Sequence, residues 1–167
     1  MILSHPFQQL SSETFDWLFR WSRILFWIVL ALYAYIKYHS MPGKNTPDSI
    51  LATPSKKMGA LGFWIGFDYL FMFAYCLFFA VCCVWGAGQF EGGSFFNTLG
   101  IALAWAMIPQ LLIDMAENWT MWQFALGKHS TDLENAFRIL EKAKKPLFIG
   151  AAAYALVVSI LNWIRVI

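Results

Sequence analysis

The sequence of 167 residues is 59% hydrophobic, 19% aromatic and 13% charged, with a mean hydropathy of +0.55 and a formal charge of +2. An average soluble domain is about 45–50% apolar and about 25% charged, and a water-soluble fold of this size has no way to hide so much apolar surface. The small net charge, with no basic patch interleaved with exposed aromatics, excludes nucleic acid as a partner. The composition therefore predicts an integral membrane protein forming a single domain over residues 1–167.

A bilayer span needs about 20 apolar residues to cross a hydrocarbon core about 30 Å thick. The first predicted span covers residues 15–37, with Ser12 starting the helix and Glu13 and Asp16 in its opening turns. Asp16, Arg20 and Arg23 share one face of its early part. No small-residue cleavage site follows this run, so it reads as a retained span rather than a signal peptide. Pro42, Gly43, Pro47 and Pro54 then interrupt helix formation in a long loop.

The second predicted span, 59–85, is dense in Phe, Tyr and Trp and carries Gly59, Gly62 and Gly66 on one face, a surface for close helix approach. It also holds Cys76, Cys82 and Cys83. The adjacent pair cannot form an unstrained disulfide, and no zinc spacing is present, so the thiols read as structural. Gly86, Gly88, Gly92 and Gly93 predict a short turn. The third span, 95–126, contains Pro109, which should kink it, and ends at Gly127.

Thr131-Asp132-Leu133-Glu134 has the form of a capping box. It predicts a short amphipathic cytoplasmic helix reaching Lys145, before Pro146 leads into a last span at 146–165 that is rich in small residues from Gly150 to Ala155. The expected architecture is thus all-α, a bundle of four transmembrane helices. Lysines concentrate in the first and third loops (Lys37, Lys44, Lys56, Lys57, Lys128, Lys142, Lys144, Lys145), so both long loops are expected in the cytoplasm and both termini outside. Trp17, Trp21, Trp85, Trp119, Trp122 and Trp163 fall near span ends, as interfacial aromatics do.

Ionisable side chains within a membrane are costly, and each needs a reason. Asp114, Glu117 and Asn118 follow an i, i+3, i+4 pattern and project from one face of the third span. At a rise of about 1.5 Å per residue, Glu117 lies about 13 Å and Asp68 about 12 Å from the same membrane surface. Tyr154 of the last span is expected at a similar depth. Three acids at one level would repel one another, so protonation or a cation must compensate them. Lys37, Lys144 and Lys145 are the candidate charge partners.

Asp68, Asp114, Glu117, Asn118 and Tyr154 are accordingly the candidate ligand- or ion-binding residues. A bundle-fixing ion pair explains the same residues, and an enzyme centre or a proton or cation pathway is a third use of them. No metal is expected: His5, His39 and His129 lie outside the spans, and no Glu-x-x-His pair is present. The leading expectation is a non-enzymatic membrane protein, either an accessory subunit or a bundle binding a small molecule or lipid. Its partners are the lipid bilayer and, as candidates, other membrane subunits or a hydrophobic small molecule.

The run Asp114-x-x-Glu117-Asn118, followed by an amphipathic connector and by Lys144 and Lys145 ahead of a last span, resembles a group of small uncharacterised bacterial membrane proteins carrying a D-x-x-E-N motif. The resemblance covers about the last 60 residues. It implies a four-helix membrane bundle in a bacterial inner membrane, and it implies no activity.

Overall fold

A computed structural model describes residues 4–40 and 58–166. Lys44, Lys56 and Lys57 of the first long loop, the side chain of Lys37, and Gly59 as a packing residue lie outside the described residues. The described chain is helical throughout: a 3-10 turn at Pro6–Gln9, then α1 (Ser12–Ser40), α2 (Met58–Ala87), α3 (Phe95–Ala125) and α4 (Thr131–Val166). All four long helices contain a stretch long and apolar enough to cross a membrane, namely Ser12–Ile36, Gly62–Ala87, Phe95–Ala125 and Thr131–Ile164.

Local chemistry sets the helix ends. Ser11, one residue before the expected position, caps α1 by accepting from the Thr14 amide at 3.3 Å. Ser94 caps α3 by accepting from the Asn97 amide, while the Asn97 side chain donates to the Ala87 carbonyl at 2.9 Å and so ties the α2–α3 turn together. The far end of α3 closes in a Schellman motif. The Gly127 amide returns to the Phe124 carbonyl and the Lys128 amide to the Gln123 carbonyl, and Gly127 takes φ +75°, which a residue without Cβ adopts freely.

The start of α4 is where it was expected, but its cap is Ser130, whose hydroxyl accepts from the Leu133 amide at 3.2 Å. Glu134 pairs with His129 at 2.8 Å instead of closing a capping box. The short amphipathic helix does not appear as a separate element either. The polar segment is the first part of the 36-residue α4, which runs on through Pro146. Proline removes one backbone hydrogen bond, and packing of α4 along α3 carries the helix across that gap. Pro109 likewise lies inside an uninterrupted α3.

The bundle is organised around α2. Two thirds of its apolar window is buried (67%), against 11% in α1, 33% in α3 and 17% in α4. This explains why its aromatics are distributed all round the helix. On one side α1 closes against it through stacked rings, Phe26 on Phe78 and Tyr33 on Phe71, both at 4.4 Å between centroids. On another side Phe148 of α4 meets Tyr75 and Phe79 edge-on, at 5.5 and 5.4 Å. The most extensive packing is between α2 and α3.

Close approach depends on glycines other than those the periodicity singled out. Gly86 is not part of the turn; it lies inside α2, where a Cβ would come within 2.9 Å of the Tyr154 ring. Gly100 of α3 faces the same tyrosine and the Cys83 carbonyl. Gly62 touches Trp122, but a Cβ on Gly66 would meet nothing within 4 Å, so Gly66 is not at a packed contact. Outside these contacts, Trp17, Trp27, Phe63, Phe95, Leu156 and Trp163 are each more than half exposed.

The N-terminal turn packs on the bundle. His5 is buried, its ring meets Trp105 at 4.9 Å, and the Trp105 indole donates to the Ser4 carbonyl at 3.0 Å. The His5 Nδ1 accepts from the Phe7 amide and caps the turn.

Candidate functional site

The buried face of α3 carries a polar stripe: Gln110, Asp114, Glu117 and Asn118, with exposures of 1, 4, 6 and 1%. The spacing i, i+4, i+7, i+8 places all four on one side of the helix. Each then needs a partner, because an unpaired buried polar group costs about 1–3 kcal/mol and more if charged.

Lys144 supplies the charge. Its Nζ forms an ion pair with Glu117 Oε2 and a second, at 3.4 Å, with Asp114 Oδ1. The α4 backbone brings it there because α4 starts well before the last apolar run, which puts Lys144 of α4 at the level of Glu117 near the end of antiparallel α3. Lys145, one residue on, points elsewhere and pairs with Glu141 at 2.9 Å on its own helix. The expected compensation by Lys144 or Lys145 is therefore made by Lys144.

Hydrogen bonds link the remaining groups. Gln110 Nε2 donates to Asp114 Oδ2 and to the Tyr75 hydroxyl oxygen, each at 3.0 Å. Asn118 Nδ2 donates to Asp68 Oδ2 at 2.8 Å and lies 3.5 Å from Met72 Sδ, which joins α3 to α2. Thr120 returns its hydroxyl to the Glu117 carbonyl at 2.7 Å. Asp68, Asp114, Glu117, Asn118 and Lys144 thus form one polar group across α2, α3 and α4.

Tyr154 does not join them. It lies ten residues beyond Lys144, about 15 Å further along α4. There its hydroxyl donates to the Phe96 carbonyl at 3.0 Å, and its ring rests between Gly86 and Gly100. The expected depth of Tyr154 assumed that the last span enters the bundle at Pro146; α4 is one helix from Thr131, and it is Lys144 that shares the level of the acids.

The polar group is not closed. A cleft of about 200 Å³ opens beside it, walled by Tyr33 of α1, Phe71, Met72 and Tyr75 of α2, and Phe148 of α4, with Asp68, Gln110, Asp114, Lys144 and Lys145 completing its lining. Glu117 is not in the lining. It lies behind Lys144 and holds the ammonium in position. Sequence reasoning did not single out Gln110, Tyr75 or Tyr33. Gln110 carried a usable signal, since it stands one helical turn before Asp114 on the same stripe. The tyrosines carried none, because they look like the rest of an aromatic helix surface.

Comparison with protein-family models, with characterised proteins and with solved structures finds no match.

Proposed function

We propose that the chain is a multi-pass integral membrane protein, without catalytic activity of its own, whose bundle binds a small molecule at an intramembrane acidic cluster. Four helices of spanning length and large exposed aromatics such as Trp27 and Phe95 support the membrane reading, because a bilayer covers apolar surface that water would not tolerate. In this reading the lysine-bearing loops face the cytoplasm, both termini lie outside, and the cleft opens nearer the cytoplasmic surface. The D-x-x-E-N resemblance points to a bacterial inner membrane.

The observation that carries the binding reading is the open cleft. An ion-pair cluster serving only to fix helices would be packed shut, with every group satisfied inside the bundle. Here a cleft of about 200 Å³ remains beside the group, with Asp68, Asp114 and Gln110 in its lining. The test is purification in mild detergent with mass spectrometry of what copurifies, from the wild type and from Asp68→Asn. Asp68 is chosen because it lines the cleft from α2, whereas Asp114 and Glu117 hold Lys144. A small molecule retained by the wild type and lost from a folded variant supports the reading. Identical copurifying material from the two proteins removes it.

A further inference from the structure

The N-terminal turn forms one wall of a second cavity, separate from the cleft beside the acids. About 310 Å³ of space lies between Phe73 and Cys76 of α2 and Trp105 and Ile108 of α3, with His5 and Phe7 of the turn across it. The lining is almost wholly apolar. Side chains hold the turn in place. The Trp105 indole donates to the Ser4 carbonyl at 3.0 Å, the His5 ring lies edge-on to Trp105, and Phe7 packs against the main core.

His5 can occupy this position only as a neutral ring. It is 5% exposed. Its Nδ1 accepts from the Phe7 amide at 3.3 Å, while its own amide donates to Gln8 Oε1 at 2.9 Å. The neutral ring therefore carries its hydrogen on Nε2, and a second proton must go to Nδ1, the atom that faces the Phe7 N–H. Two donors would then point at each other, and the cap that shapes the turn would be lost. The charge would also be buried in an apolar wall.

Nothing in the surroundings offsets that charge. Among the lining residues the other ionisable group is the Cys76 thiol of α2, and α3 contributes none. Asp16 of α1 lines the cleft on the other side of the turn, with Phe7 and Gln8 rather than His5. Burial accordingly pushes the His5 pKa down.

We propose that residues 4–9 are a strap that closes the α2–α3 cavity while His5 is neutral and opens it to the surrounding hydrocarbon chains when His5 takes up a proton. The turn lies beside Trp85 and Gly88 at the end of α2, so the strap responds to the pH of the compartment on that side. The docked state is fully favoured above the ordinary histidine value of about 6.5 and weakens as the pH falls below it. At pH 5 docking is weakened by up to about thirty-fold, the ratio of protonated to neutral ring in the released turn.

The test is modification of Cys76, itself 5% exposed, by methyl methanethiosulfonate, a small neutral thiol reagent. The full-length protein is treated in mild detergent at pH 7.5 and pH 5, and the modified thiols are located by tandem mass spectrometry. Cys82 is buried but does not line the cavity. The ratio of Cys76 to Cys82 modification therefore cancels the reagent's own pH dependence and any general loosening. In the wild type this ratio should rise from pH 7.5 to pH 5 by at least about five-fold and at most about thirty-fold, as the open population grows. His5→Phe keeps a ring against Trp105 and takes no proton, so its ratio should be the same at both pH values. His5→Lys is charged at both, and should show at pH 7.5 the high ratio that the wild type reaches at pH 5. A wild-type ratio that does not change with pH, an equal rise in His5→Phe, or a His5→Lys ratio at pH 7.5 no higher than that of the wild type overturns the strap.

Discussion

Lys144→Met is the most direct perturbation of the bundle. It keeps the length of the side chain and removes the only described cation touching Asp114 and Glu117, which are 4 and 6% exposed. Removing one partner of a buried ion pair costs about 3–5 kcal/mol, since the other charge stays buried without compensation. The Lys144 side chain is itself 30% exposed, so water moderates the effect, and about 2–3 kcal/mol is expected. At about 2–4 °C per kcal/mol for a chain of this size, the melting temperature in detergent should fall by roughly 5–10 °C. Lys145→Met, which breaks only the exposed i, i+4 pair with Glu141, should shift it by no more than about 1–2 °C, because such helix pairs contribute about 0.3–0.5 kcal/mol. The triple variant Lys144→Met, Asp114→Asn, Glu117→Gln removes both signs of charge together and should recover most of the loss. The assay is thermal unfolding followed by circular dichroism, at one detergent and one pH for all four proteins. The reasoning is refuted if Lys144→Met melts with the wild type, or if the triple variant is no more stable than the single one.

Gly100→Ala should destabilise the bundle, because its Cβ would fall 2.9 Å from the Cys83 carbonyl, a backbone atom that cannot swing aside. Gly66→Ala, with nothing within 4 Å, should instead be neutral or stabilise by up to about 1 kcal/mol through helix propensity, as parallel thermal melts would show. Tyr154→Phe loses one hydrogen bond to the Phe96 carbonyl. It should lower stability by about 0.5–1.5 kcal/mol, read from the thermal melt. Burial of His5 pushes its pKa down, so the neutral ring favours the docked N-terminal turn. That contribution is complete above the ordinary value of about 6.5 and is lost as the pH falls below it. Protection factors of the Gln8 and Leu10 amides in hydrogen exchange should therefore drop between pH 7.5 and pH 5, and equal protection at both would rule out the coupling.

The four helices and the polar stripe were legible because each rests on a local rule. Long apolar runs, the i, i+3, i+4 spacing of Asp114, Glu117 and Asn118, and the need for a compensating cation follow from the chain alone. The features that escaped depend on where helices begin and how they rotate. The segment from Thr131 and the last span, read as separate elements, form one continuous helix, which sets Lys144, already a candidate partner, at the level of the acids and carries Tyr154 beyond them. Proline is a poor guide to a helix end where neighbouring helices support the backbone around it. The capping serines, Ser11 and Ser130, lay one position before the residues that best matched the motifs. The docked turn around His5 gave no periodic signal, because its anchor is a single indole on α3, about one hundred residues away in the chain.

The depth of the polar group follows from helix lengths. Asp68 lies about 15 Å from the start of α2, Glu117 about 12 Å from the end of α3, and Lys144 about 20 Å from the start of α4. These ends meet on one side of the bundle. Helices of 30 and 31 residues are about 45 Å long and exceed a hydrocarbon core of about 30 Å by about 15 Å. With that excess shared between both surfaces, the charges lie only about 5–12 Å inside the apolar layer rather than at its centre. In a bilayer so placed, Lys145 would lie within reach of the headgroup region while Lys144 turns inward to the acids, and the cost of burying charge would be moderate. The rings of Tyr33, Phe71 and Tyr75 then wall the cleft on the side of α1 and α2. If the proposed binding function holds, a ligand entering from the headgroup region would reach Asp68 without crossing the bilayer's centre.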